Sequence, residues 1–353
     1  MLDRGRALVP DDDKVTRARL LLDEAWMSWR LSCNEEMAGP ARAGLELARQ
    51  TEDIPVLSSA LDAVAALAWT EGRYGLAAEH ARERLELLAG VRGRAHAIEV
   101  ERSDALHMMI ESLVATGDFR QASEYADQAR ELDLSRGGVF SGWARNMLPS
   151  FFLGEWDRTL EMARGFRDAW SAADHPPVYA MAAACGSAGA ILGYRGDEAG
   201  AADWFGFAES IAPSTGGQLG GLHMMRADVD LHHGRVDEAA ARLAAPAATT
   251  TWWRSPYAAT RAEAMVRAGG DDAPGALTEA QAMVGDHGYA RGVLMRAQGL
   301  YQEDEDLLRD AFSLFEQIEC PYQAARTGWL LGGDDSAESE RTLARLGAPP
   351  PVG

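Results

Sequence analysis

The chain has 353 residues, of which 47% are hydrophobic, and its formal net charge is −20. This composition excludes disorder for most of the chain, and the lack of a basic cluster argues against direct binding to nucleic acid, which needs clustered cations. Lys14 is the only lysine, so the helical body has neither a lysine-ended phosphate-binding loop nor a Schiff-base lysine.

The cysteines and the apolar segments predict a cytoplasmic protein. Cys33, Cys185 and Cys320 are far apart and odd in number, which is typical of reduced thiols. The first residues lack the apolar core of a signal peptide. The longest apolar stretch, residues 179–194, is too short to cross a bilayer, so we expect no contact with a membrane.

The predicted elements are helices along almost the whole chain. Residues 1–14 are predicted to be disordered, and helix begins near Val15. Apolar residues between 54 and 68 follow the 3.6-residue period of a helix face, and alternating strand segments are absent. Residues 348–353 contain three prolines and are predicted to form a tail, because proline cannot continue a helix. The helical array, residues 15–347, is divided by predicted turns near residues 35, 73, 118, 155, 197, 235, 271, 302 and 334.

A short phrase recurs where the second helix of several predicted pairs begins. It contains a glycine, a polar residue, and mostly small residues five and nine positions after the glycine. Glycine supplies the left-handed conformation that ends a helix, and small side chains let two helix axes approach. Successive glycines are 45, 37, 42 and 38 residues apart, a period that indicates stacked helical pairs; they are Gly72, Gly117, Gly154, Gly196 and Gly234. We therefore predict an all-α solenoid, a right-handed superhelix of about nine helix–turn–helix pairs.

The repeated phrase resembles the tetratricopeptide (TPR) signature, although the repeats are longer than the usual ~34 residues. The C-terminal stretches Ala311–Ile318, Cys320–Thr327 and Leu330–Gly332 are similar to the helical C-terminal parts of large bacterial signalling ATPases. These include LuxR-family transcription activators of the maltose-regulator type and ATPase-linked adenylyl cyclases. The resemblance implies a TPR-like sensor array that binds a small ligand or a partner protein inside the superhelix and signals to an output domain.

The chain also departs from the plan of these families. It contains no phosphate-binding loop, no cyclase domain, and no DNA-reading helix after residue 347. The resemblance therefore implies the sensor array alone, either as a fragment of such a regulator or as a stand-alone relative.

Candidate ligand contacts lie on the first helix of each pair, because these helices line the inner surface of a superhelix. Exposed Trp, Tyr and Arg are enriched at binding hot spots. The alternative is that the tryptophans fill the core between repeats and the arginines pair with nearby acids. The candidates form three groups: Trp143, Arg145 and Asn146; His223, Arg226 and Asp230; and Trp252, Trp253, Arg254, Tyr257 and Arg261.

No motif predicts a catalytic, metal or cofactor site. His223, His232 and His233 lack the spacing of a ligand pair on one helix face. Gly186-Ser-Ala-Gly189 lacks the spacing and the preceding strand of a nucleophile elbow. We therefore expect neither a cofactor nor an enzyme.

The leading hypothesis is a non-enzymatic binding scaffold, the sensor or interaction array of a cytoplasmic bacterial signalling or transcriptional regulator. Its ligand in the concave groove would be a protein, a peptide or a small effector. The sequence also leaves open whether the chain forms a homo-oligomer. One alternative is a fragment of a LuxR-family activator or adenylyl cyclase whose other modules lie outside this chain. Another is an enzyme whose site the sequence does not reveal.

Overall fold

The structure is a computed structural model and describes residues 8–30, 34–91, 96–135, 141–175, 178, 181–212, 218–246 and 253–352. In these ranges the regular secondary structure is helical and contains no strand, which confirms the all-α prediction. The described ranges contain eighteen helices, which follow one another as nine pairs, in agreement with the predicted number. None of the helices in the described ranges is long and apolar enough to cross a membrane.

The chain divides into two compact units between residues 113 and 114. Unit 1 contains four helices and most of a fifth: α1 (Lys14–Arg30), α2 (Asn34–Ala48), α3 (Ile54–Thr70), α4 (Tyr74–Ala89) and α5 (His96–Thr116). Unit 2 contains the end of α5 and the remaining helices: α6 (Phe119–Ser135), α7 (Ser141–Phe152), α8 (Trp156–Ala172), α9 (Ala182–Tyr194), α10 (Glu198–Ile211), α11 (Gln218–His232), α12 (Val236–Arg242), α13 (Arg254–Arg267), α14 (Ala273–Met283), α15 (Gly288–Gln302), α16 (Glu305–Gln317), α17 (Pro321–Leu331) and α18 (Gly333–Leu346).

The repeat glycines end the first helices of their pairs in the left-handed conformation, as predicted. Their φ values lie between 73° and 91° at Gly72, Gly117, Gly154, Gly196 and Gly234. After the first of these turns the amide of Arg73 donates to the carbonyl of Ala68 at 2.9 Å, which satisfies an end group of the helix. A side chain at these glycines would strain the backbone, so the turns require glycine.

The small residues of the repeated phrase lie at helix crossings. The positions five and nine residues after the glycines are completely buried at Ala77, Ala122, Ala126, Thr159 and Ala163. Because these side chains are small, the second helix of each pair approaches its neighbours closely.

Buried polar side chains of three first helices in unit 2, α11, α13 and α15, contact α17. Arg326 on α17 forms ion pairs with Asp228 on α11 and with Glu263 on α13, and Arg296 on α15 pairs with Glu263 at 2.7 Å. All four residues are at most 2% exposed. The sequence predicted an open groove lined by first helices. In this part of unit 2 the four charged side chains are instead buried and paired with one another, as buried charges require, so they do not line an open groove.

The C-terminal segment of unit 2 runs along the turn ends of the repeats. A Cβ at Gly154 would lie 2.7 Å from Pro321, so this turn contacts the start of α17 directly. Beyond α18, the amide of Val352 donates to the carbonyl of His232 at 2.9 Å. The proline-rich residues 348–352 therefore pack against the body of unit 2.

Candidate functional site

The first predicted group lies on α7 and is tied to α6. Asn146 is fully buried, and its Nδ2 donates to the Asp127 carboxylate at 2.7 Å. The Arg145 side chain is 12% exposed and lies 3.9 Å from the Asp133 carboxylate. Trp143 belongs to the same helix. The contacts of Arg145 and Asn146 hold two helices together and leave neither side chain in an open groove.

The third predicted group lies at and before α13 and fills space between helices. Trp253 and Tyr257 are 6% and 3% exposed. The hydroxyl of Tyr257 donates to a backbone carbonyl at 3.1 Å, and the guanidinium of Arg261 pairs with a carboxylate at 2.8 Å. Arg254 is half-buried, and Trp252 lies outside the described residues. These contacts favour the alternative in which aromatic residues fill the core and arginines pair with acids.

The second predicted group borders an open cavity. Arg226 and Asp230 on α11 line a cavity of about 290 Å³ that α9, α10 and the start and end of α12 complete. His223 lies one turn before Arg226 on α11. Burial lowers the pKa of His223, and Arg242 lowers it further, so the ring is held neutral beside this cationic cluster. The structure therefore brings two of these three residues to one cavity.

Two further arginines line the cavity, and neither was among the predicted site residues. Arg235 follows the repeat glycine Gly234, and Arg242 ends α12. Asp230 accepts hydrogen bonds from both, at 3.0 Å from Arg235 and 3.1 Å from Arg242. The sequence did contain a signal for them: they are seven residues apart, about two helical turns, so a helix that begins after Arg235 and ends at Arg242 places both cations on one side.

Three guanidiniums and three carboxylates meet at the cavity, and only one of the carboxylates, that of Asp230, is buried. Asp230 is only 7% exposed and is shared by two arginines. Arg226 pairs with Glu209 at 2.5 Å and lies 4.8 Å from the ring centre of Phe205. Glu198, the remaining carboxylate, has an 83% exposed side chain and lies 3.8 Å from the nearest guanidinium. A guanidinium has five N–H donors, so donors remain for a bound anion.

Part of the cavity lining is apolar. It is formed by small residues of α9 and α10 and by two larger side chains, namely Gly193, Ala201, Ala202, Phe205 and Val229. A Cβ at Gly193 would lie 2.6 Å from Val229, so the absence of a side chain permits close packing of α9 on α11. Arginines beside apolar lining residues suit an anionic group with an apolar stem, such as a glutamate side chain or a chain-terminal carboxylate.

Comparison with known proteins shows the fold. No protein family and no curated protein matches the chain. Thirty-six solved chains match it. One is a Rap protein, described as "complexed with Competence and Sporulation Factor", with a TM-score of 0.52 and 15% identity over 94% of this chain and 99% of that chain. Another is BtubC (BKLC) from P. vanneervenii, with a TM-score of 0.32 and 12% identity over 87% of this chain and 93% of that chain. The Rap likeness confirms the predicted TPR-like helical-repeat fold.

Proposed function

We propose that this chain is a non-enzymatic scaffold that binds an acidic segment of a protein or peptide partner at the arginine-lined cavity of unit 2. The observation that carries the proposal is the set of three arginines, Arg226, Arg235 and Arg242, which line one cavity together with apolar residues. Arginine binds carboxylates with two parallel hydrogen bonds but stays protonated, so such a site orients a ligand and does not exchange protons with it.

The wider role follows from the fold. TPR-like arrays hold partners on surfaces formed by successive repeats. The Rap protein with a similar fold is described in complex with a factor, which is consistent with a scaffold role for this chain too. In this proposal the chain is the sensor or interaction array of a cytoplasmic bacterial signalling or transcriptional regulator, and catalytic or DNA-binding modules, where present, lie outside it.

A display selection tests the proposal. Phage-displayed random dodecapeptides are selected on the full chain, and the enriched peptides are labelled for fluorescence polarisation. We expect enrichment of glutamate or aspartate beside apolar residues. Arg226→Ala and Arg242→Ala should each weaken binding about tenfold, because each removes a charge-assisted hydrogen bond.

The matched control is Arg309→Ala. Arg309 is exposed, pairs within α16 with Glu305 and Asp306, and does not line the cavity, so its loss should leave peptide affinity unchanged. Circular dichroism checks that each variant is folded. Absence of enrichment, enrichment of peptides without acidic residues, or full affinity in both cavity variants would overturn the proposal.

A further inference from the structure

The C-terminal residues 348–352, here called the strap, cross the turn that follows α11. The backbone N–H of Val352 donates to the carbonyl of His232 at 2.9 Å, and the carbonyl of Val352 accepts from Arg267 at 3.0 Å. Arg267 also donates to the carbonyl of Leu231 at 2.9 Å. The last carbonyls of a helix lack partners within the helix, so these bonds satisfy the end of α11 from outside.

The strap also packs on the turn itself. A Cβ at Gly234 would lie 2.8 Å from Cγ1 of Val352, so a larger residue at this position would displace the strap. Ala348 and Pro351 are buried, whereas Val352 is 56% exposed. A segment that is held by few bonds and has an exposed end belongs to the part of a protein that opens most easily. The strap can therefore be released without unfolding the helices.

The same turn also lines the arginine-lined cavity. His233 and Arg235 are both lining residues. The Nε2 atom of His233 is hydrogen-bonded to the carbonyl of Gly193 at 2.8 Å. The backbone N–H of Arg235 donates to the carbonyl of Asp230 at 2.9 Å. Residues 232–235 therefore alternate along the chain between contacts to the strap and positions in the cavity lining.

The turn also sets the position of α12. This helix has only seven residues. Isolated helices shorter than ~12–15 residues are marginal in water, so α12 depends on its packing and on the turn that precedes it. Arg242 ends α12 and donates to Asp230 at 3.1 Å. Two of the three cavity arginines, Arg235 and Arg242, therefore depend on this turn for their position.

We propose that the strap regulates the arginine-lined cavity, because its docking on residues 232–235 holds Arg235 and Arg242 in the geometry that binds an acidic ligand. This inference rests on the function proposed above for that cavity. The state with the strap docked binds the ligand, and release of the strap loosens the turn and lowers the affinity. Because coupling between two sites is reciprocal, a ligand in the cavity also favours the docked strap.

Fluorescence polarisation with a display-selected acidic peptide tests the coupling. Deleting residues 349–353 should weaken peptide binding about tenfold, which is within the usual range for coupling between two sites. Val352→Pro should have a similar effect, because proline lacks the N–H that bonds to His232. Since Val352 is exposed, this second variant keeps the helices folded.

The matched control is Arg341→Gln on α18. Arg341 is exposed and pairs with Glu338 of its own helix, so peptide affinity should stay unchanged. Circular dichroism checks that each variant is folded.

Hydrogen exchange measures the effect of the strap on the turn without the peptide. In the deleted chain and in Val352→Pro, the amides of Gly234 and Arg235 should exchange faster than in the unmodified chain, while those of α16 keep their rates. Peptide binding to the unmodified chain should in turn slow the exchange of the Val352 amide, as reciprocity requires.

The regulation and the function of the cavity fail separately. Unchanged peptide affinity in both strap variants, or unchanged exchange at the turn, would overturn the regulation and leave the proposed function intact. Absence of peptide binding to the unmodified chain would instead overturn that function. Faster exchange at the turn in the variants would still support the strap as the element that holds this turn in place.

Discussion

A single carboxylate holds two guanidiniums in the polar core of unit 2. Glu263 is fully buried and accepts hydrogen bonds from Arg296 at 2.7 Å and from Arg326 at 2.5 Å. Burial raises the pKa of Glu263, but the two arginines outweigh burial and lower it from 4.5 to about 2. Because the folded-state pKa is depressed, this group stabilises the fold above about pH 4.5, and that contribution is lost as the pH falls towards 2.

Replacing this carboxylate should be costly. Glu263→Gln leaves two buried guanidiniums without their shared charge, and we expect a loss of about 3–5 kcal/mol in the free energy of unfolding. The control is Glu305→Gln, since Glu305 is exposed and pairs with Arg309 on its own helix. Its effect should stay below about 1 kcal/mol. Urea denaturation measures both, and equal losses would contradict this account of the core.

In unit 1 a buried acid has the opposite pKa shift. Arg84 is 3% exposed and lies 2.7 Å from each of the carboxylates of Asp62, Glu101 and Asp104. Burial raises the pKa of Asp62, Arg84 opposes this, and the two neighbouring acids add to it, so that the pKa reaches about 7. One cation cannot neutralise three carboxylates, and Asp62 therefore keeps its proton in the folded state at acidic pH.

This shift predicts a pH dependence of stability. Because the folded-state pKa of Asp62 lies above its usual 3.8, its contribution is full below about pH 4 and declines as the pH rises to 7. Urea midpoints between pH 5 and pH 8 should therefore fall more steeply in the unmodified chain than in Asp62→Asn, which carries no titrating group there. Parallel curves for the two proteins would show that Asp62 does not titrate in this range.

At the scale of helices, the repeated phrase allowed the turns and the helix crossings to be predicted. Both depend on local chemistry: a glycine with positive φ ends a helix, and a small residue one and two turns into the next helix is buried. The position of α17 could not be predicted in this way. Its ion pair from Arg326 to Asp228 joins residues 98 positions apart, and nothing in the local pattern specifies that pairing.

The arginine-lined cavity was predicted only in part for the same reason. Arg226 and Asp230 share a face of one helix, and that face can be read from their spacing. Arg235 lies in the turn before α12 and Arg242 ends α12, and they meet Asp230 because the turn at Gly234 folds α12 back onto α11. The packing of α12 on α11, which the residue pattern does not reveal, therefore brings the arginines to Asp230.

A substitution in the repeated phrase tests the helix register. Ala122 is fully buried where α6 crosses its neighbours, so Ala122→Leu should overpack the crossing and cost roughly 1–3 kcal/mol. The control Ala337→Leu changes an exposed alanine of α18 and should be nearly neutral. Thermal unfolding compares the two variants, and equal melting temperatures would place Ala122 outside the crossing.

At the scale of the molecule, the C-terminal residues contact helix ends and a turn that lie about 85–120 residues earlier in the sequence. The backbone N–H of Val352 donates a hydrogen bond to the His232 carbonyl, and the Val352 carbonyl accepts one from Arg267 at 3.0 Å. The Val352 side chain lies against Gly234. Deleting residues 349–353 should lower the free energy of unfolding by about 1–3 kcal/mol, because it removes both hydrogen bonds and uncovers the turn. An unchanged urea midpoint in the truncated chain would show that this segment adds no stability.

The net charge of −20 bears on which partners reach the arginine-lined cavity. An acidic peptide is repelled by the chain at long range and attracted only near the three arginines. At physiological salt the Debye length is about 8 Å, so distant repulsion is largely screened while contacts inside the cavity persist. Recognition therefore depends on local pairing between the ligand and these guanidiniums.

A double-mutant cycle measures that pairing directly. A display-selected acidic peptide and its copy with glutamate replaced by glutamine are titrated calorimetrically against the unmodified chain and against Arg226→Ala/Arg242→Ala. The account predicts a coupling free energy of about 1.5 kcal/mol or more between the glutamate and the arginines. A coupling of zero, with both peptides losing the same affinity in the variant, would contradict the arginine-lined cavity as the binding site.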